Sequence, residues 1–191
     1  MKKGWIIALV IIGIIVLGLL GTVATIISRY NNLQKLVVAV DNGWSEVENQ
    51  LNRRFDLIPN LVETVKGYAS HEREVLTEVT ESRSKVGSAQ TPADKIEANN
   101  QLSSALSRLM VVVERYPDLK ANTNFMMLQD ELAGTENRIA VARRRYNESV
   151  NMLNQSIVVF PNNMLATMFN IEKAEFFKAP VEAQKAPEVK F

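Results

Sequence analysis

The sequence predicts an all-α protein: an N-terminal transmembrane helix continuing into an elongated antiparallel four-helix bundle. Three observations carry this expectation. Residues 5–27, WIIALVIIGIIVLGLLGTVATII, hold no charged side chain. Beyond them, apolar residues recur at alternating steps of three and four, the spacing of a helix packed nearly parallel to another. Prolines, glycines and caps cut that pattern into four stretches of similar length joined by short links, as an up-down-up-down bundle requires.

The uncharged run is the anchor. At about 1.5 Å per residue, residues 5–27 span the roughly 30 Å hydrocarbon layer of a bilayer. A cleaved signal peptide is the rival reading, because Lys2 and Lys3 give a basic start. The apolar run is longer than a signal core, and Val23-Ala24-Thr25 is a poor cleavage site followed by two more isoleucines. An uncleaved anchor is therefore expected. Within it, Gly18 with Thr22 and Gly21 with Thr25 form small-xxx-small pairs that let membrane helices approach closely.

Helix one follows without Gly or Pro between residues 28 and 32, with its seam at Leu33, Val37, Val40, Trp44, Val47 and Leu51. Pro59 pushes residue 58 out of the α region, so helix one should end near Leu57 and Pro59 should open helix two. If Pro59 only kinked the helix, the first two would form one rod. Helix two carries Val62, Val65, Ala69, Leu76, Val79 and Val86 and gives way at Gly87-Ser88. Thr91-Pro92 supplies a cap and a first-turn proline for helix three, which runs through Leu102, Leu106 and Leu109 to Tyr116. Helix four has its seam at Leu128, Leu132, Thr135, Ile139, Ala142, Tyr146 and Leu153 and should reach about Val159. The domains expected are a short N-terminus (1–4), the anchor (5–27), a helical-bundle domain (28–170) and a flexible tail (171–191), poor in large apolar groups except Phe176, Phe177 and Phe191.

Composition narrows the function classes. Of 22 basic residues, Lys2 and Lys3 precede the anchor, so the rest of the chain holds 20 against 21 acidic. That near-neutral balance gives no global field to recruit nucleic acid. The absence of cysteine excludes disulfides and thiolate chemistry. Lys2 and Lys3 before the anchor, against Arg29 and Lys35 after it, tilt slightly toward a cytoplasmic N-terminus.

The stretch RRFDLIPNLVETVKGYASHE, residues 53–72, concentrates the polar groups that invite a site. His71-Glu72 lacks the second histidine that a helical zinc motif needs, because residue 75 is valine. No nucleophile with a partnered base is evident, and Glu46 with Glu48, or Glu72 with Glu74, point to different sides of a helix. Catalytic, metal and cofactor residues are therefore expected to be none, and no small-molecule substrate is indicated. Arg53, Arg54, Asp56, Pro59 and Asn60 instead form an expected turn at the far tip of the bundle. They serve either as helix-terminal charges complementing the dipoles or as an exposed tip that docks a partner. Arg143, Arg144 and Arg145 cannot share a helix face and read as a solvated surface.

The segment from Phe160 to Phe169 returns toward the membrane in this topology. Phe160, Pro161, Met164, Leu165, Met168 and Phe169, with two asparagines, suit a short asparagine-capped helix in the lipid interface, or a plug closing the bundle.

These residues also resemble a known family. The signature RR-x-DLIPNLV-x-TVKGYA-x-HE, the Tyr-Asn after the anchor and the downstream RRRYNESVNMLNQSIVVFPNNMLATMF are similar to the LemA family of bacterial membrane proteins. The resemblance implies one membrane helix, a helical-bundle domain and no established enzymatic activity. It also implies kinship with magnetosome-membrane proteins and association with membrane proteases of the HtpX type. It favours an extracellular N-terminus, against the lysine pair, so orientation stays open.

Two functions follow as expectations. The first is a non-catalytic scaffold in the bacterial inner membrane that touches lipid and forms homo-oligomers. The second is an adaptor of a membrane protease or signalling complex, with the distal arginines as docking residues.

Overall fold

The structure, a computed structural model, describes residues 2–177, with side chains from residue 4. All its regular elements are helices: α1 (Lys2–Tyr68), α2 (Arg73–Ser88), α3 (Pro92–Val113), α4 (Pro117–Lys120), α5 (Thr123–Val158) and α6 (Asn162–Met168). The chain divides into two compact units. The first comprises residues to Val40 with Ser149–Ala174, and the second Asp41–Glu148 with the chain from Glu175.

In the second unit, α1, α2, α3 and α5 form a helical bundle around a shared core. Ile58, Leu61 and Val65 of α1 meet Leu76, Val79 and Val86 of α2, Leu102, Leu106 and Leu109 of α3, and Phe125 and Leu132 of α5. Each large aliphatic side chain buried this way contributes about 1.5–3 kcal/mol of transfer free energy. Further predicted seam positions are buried as well: Val47 and Leu51 of α1 and Thr135, Ile139, Ala142 and Tyr146 of α5. Gly43 lets α1 and α5 approach closely, since a Cβ there would lie 3.2 Å from the Tyr146 Cα. At α3, the Thr91 hydroxyl accepts from the Asp94 N–H at 3.1 Å and Pro92 begins the helix, as the sequence indicates.

The principal difference from expectation is Pro59. It does not open a second helix; α1 continues through it to Tyr68. A proline inside a helix has no N–H to give the carbonyl four residues back, here that of Phe55. Arg83 of α2 fills the vacancy, its Nε donating to the Phe55 carbonyl at 3.1 Å while its guanidinium lies 3.7 Å from the Phe55 ring centroid. The adjacent Gly87 leaves room for that ring: a Cβ there would be 3.1 Å from it.

The chain reverses at residues 69–72 instead, so His71 lies exposed in a turn and not within a helix. Glu72 ties this turn to the end of α3, its Oε1 accepting from Arg115 at 3.1 Å and from the Tyr116 hydroxyl at 3.0 Å. The core positions Ala69, Leu76 and Val79 stay in phase across the turn, which is why the apolar pattern conceals it. Helix α3 also ends three residues early, at Val113, and Pro117 opens the short α4.

The first unit holds the apolar part of α1, the one helix among the described residues that is long and apolar enough to cross a membrane, and none of its apolar window is buried within the chain. This fits a single-pass membrane protein. In the same unit Leu33 of α1 is buried, as are Leu153 and Ile157 of α5 and Leu165 and Ala166 of α6.

Candidate functional site

The expected tip does not form. Arg53, Arg54, Asp56, Pro59 and Asn60 all lie inside α1, so no helix end is there for the arginines to complement. Successive residues turn by about 100°, which sends the two arginines to different environments. Arg53 is exposed and pairs with Glu131 of α5 at 2.5 Å. Arg54 takes the seam position between Leu51 and Ile58 and is only 6% exposed. Asp56, Pro59 and Asn60 are exposed.

Arg54 joins three helices. Its Nη1 donates to Asn99 Oδ1 at 3.2 Å and Ser103 Oγ at 2.9 Å on α3, and to Glu136 Oε2 at 2.7 Å on α5. Its Nε finds no partner among the described residues. Burial pulls the Arg54 pKa below its ordinary value, and Glu136 opposes that pull. A guanidinium so enclosed cannot also meet a partner protein. The sequence signal was available: continuing the three-four steps beyond Leu51 lands on residue 54.

The segment from Phe160 divides into two faces. Phe160 is 79% exposed, Met168 69% and Met164 62%, and Phe169 is partly exposed, whereas Asn162, Leu165 and Ala166 are buried. The expected asparagine cap is absent. Pro161 occupies the N-cap of α6 without a side-chain bond, and Asn162 donates to Ser156 Oγ at 3.1 Å. The Phe169 ring packs against Tyr30 at a tilt of 48°, with centroids 4.4 Å apart. Tyr30 follows the last residue of the apolar run, Ile27, by three positions, an axial rise of about 4.5 Å.

In the anchor, the Thr22 hydroxyl donates to the Leu19 carbonyl at 2.8 Å and the Thr25 hydroxyl to the Gly21 carbonyl at 2.9 Å. Both hydroxyls are thus satisfied within their own helix, a requirement in hydrocarbon. Gly18 and Gly21 face open space.

A further arrangement escaped the sequence reading. Residues 171–177, the start of the expected flexible tail, form an extended strap packed along α5; residues 178–191 of that tail lie outside the described residues. In the second unit, Asn147 holds Phe177 by both backbone groups, donating from Nδ2 to its carbonyl at 2.9 Å and accepting its N–H at 2.8 Å. The Tyr146 hydroxyl donates to the Glu175 carbonyl at 2.8 Å, and burial lifts the Tyr146 pKa above its ordinary value. Phe177 is buried, with the Arg143 guanidinium 5.7 Å from its ring. The arginine triplet is therefore divided in role, Arg143 facing Phe177 and Arg145 pairing with Glu46 at 2.8 Å. In the first unit, Asn154 grips Ala174 in the same two-handed way, at 2.9 and 3.0 Å. The clue was a pair of phenylalanines in an otherwise polar tail.

Comparison with known proteins adds a family context. The LemA family profile matches residues 43–191. Magnetosome protein MamQ 2 of Paramagnetospirillum magneticum is 27% identical over 189 residues, covering 85% of this chain and 70% of that protein. Protein LemA of Metamycoplasma hominis is 26% identical over 154 residues, covering 80% of this chain and 70% of its own length. Magnetosome protein MamQ of Magnetospirillum gryphiswaldense is 25% identical, with 87% and 71% covered. None of these names states a reaction.

Proposed function

The chain belongs to the LemA family, and from that premise we propose that it is a non-catalytic, self-associating scaffold anchored by one helix in the bacterial inner membrane, organising membrane or membrane-protein assemblies. The observation that carries this reading is the exposed apolar face of Phe160, Met164 and Met168, joined through Phe169 to Tyr30 just beyond the apolar run of α1. A short helix with aromatic and methionine side chains at that level suits the boundary between headgroups and acyl chains, where its apolar face is covered by lipid. The open faces of Gly18 and Gly21 support close packing of anchors from different copies. The two relatives named as magnetosome proteins fit a component of an assembly.

Imaging and light scattering on the purified chain test this. Particles containing several copies, with order or deformation in reconstituted vesicles, are expected. A monomer in detergent and in lipid at every workable concentration would overturn it.

A further inference from the structure

We propose that the α5 face around Arg143, Tyr146 and Asn147 is a receptor site for an extended peptide, and that in assemblies of this chain its occupant is the 175–177 strap of a second copy. The inference rests on the self-association proposed above and names a surface that mediates it.

The chemistry is that of backbone recognition. A carboxamide has one acceptor and one donor side by side, so Asn147 completes a cyclic pair with the N–H and carbonyl of a single residue in an extended chain. Tyr146 adds a bond to another main-chain carbonyl, that of Glu175. These contacts ask nothing of the peptide's side chains. Register comes from one aromatic ring, Phe177, which is 3% exposed beside the Arg143 guanidinium.

The occupant follows from the strap itself. Because every group the site contacts belongs to residues 175–177 of this sequence, the same segment from a second copy makes the same bonds, which is the condition for low-cost exchange between protomers. Among the described residues, the strap beyond Ile171 makes no backbone–backbone hydrogen bond. Glu172, Lys173, Glu175 and Phe176 are exposed, leaving Phe177 as its buried large side chain. Asn170, at the junction with α6, has φ 51° and closes the helix in a left-handed turn, with the Ile171 N–H donating to the Ala166 carbonyl at 2.9 Å.

Because the chain has no cysteine, single thiols report the exchange. Glu148→Cys lies on α5 beside Asn147, and Phe176→Cys lies on the strap beside Phe177; both native side chains are exposed. With both thiols in one full-length copy, a short bis-maleimide should join them internally. When copies carrying one thiol each are mixed in lipid vesicles, covalent dimers should form. Asn147→Leu in the first copy with Phe177→Ala in the second should reduce their yield at least tenfold. No dimer under conditions that complete the internal link, or a dimer yield indifferent to those substitutions, would each overturn the proposal. If the protein still scatters as an oligomer in those cases, self-association survives by another surface; if it is monomeric, both readings fall.

Discussion

Replacing Arg54 with alanine gives the sharpest test of where that residue lies. Asn99 Oδ1, in a side chain only 5% exposed, would lose the Arg54 donor, at a cost of about 1–3 kcal/mol for a stranded buried acceptor. Glu136 is more than half exposed and rehydrates, so its loss adds little. The missing arginine stem removes packing between Leu51 and Ile58, a further ~1–2 kcal/mol. Relief of the partnerless Nε returns about 1 kcal/mol. The net expectation is a loss of about 3 kcal/mol, which for a chain of this size lowers Tm by about 6–12 °C. Arg54→Met keeps the stem and should lose only ~1 kcal/mol, since a buried ionic group often exchanges with an apolar one at small cost. Arg53→Ala removes a pair whose arginine is mostly exposed and should shift Tm by less than about 3 °C. Thermal melts of the intact protein in mild detergent, followed by far-ultraviolet circular dichroism, measure all three. If Arg54→Ala melts within about 2 °C of the parent, or no lower than Arg53→Ala, the buried-network account is wrong.

Other expectations follow from the same physics. Arg83→Ala should destabilise by about 1–2 kcal/mol through the lost bond to the Phe55 carbonyl and the lost ring contact. That loss should shrink in a Pro59→Ala background, where residue 59 regains an N–H for the same carbonyl; a double-mutant cycle without coupling would contradict this. Gly43→Ala places a methyl 3.2 Å from the Tyr146 Cα and should destabilise by about 1–3 kcal/mol in the same melts, by forcing α1 and α5 apart. The Tyr116 phenol has its pKa raised, first by its hydrogen bond to Glu72. Its stabilisation is therefore complete below the unfolded value near 10 and lost as pH rises through the higher folded value. Tyr116→Phe should accordingly lower Tm at neutral pH but converge with the parent at strongly alkaline pH. Replacing Met164 and Met168 with serine should leave Tm nearly unchanged while reducing vesicle deformation, assessed by imaging at equal protein density.

Most of the helical architecture was legible in the sequence because its signals are local. An uncharged run of residues 5–27 has one stable solution in a bilayer, and a repeat of three and four selects one face of each helix wherever that helix lies. Thr91 and Pro92 fix the start of α3 through bonds within one turn, and α5 spans Thr123–Val158 close to the limits its seam indicates. Arg54 was partly legible, since the seam passes through it, yet its charge argued for the surface.

What only the tertiary structure decided depends on partners far along the chain. Pro59 ends a helix when its orphaned carbonyl has no substitute donor, and here Arg83, 28 residues beyond Phe55, provides one. Arg54 tolerates burial because Asn99, Ser103 and Glu136 converge on it from two other helices. The strap is ordered by Tyr146, Asn147 and Asn154, residues that a polar tail cannot announce in advance. In each case the local preference of the chain is outweighed by the free energy of leaving a buried polar group without a partner, and the fold determines where such partners stand.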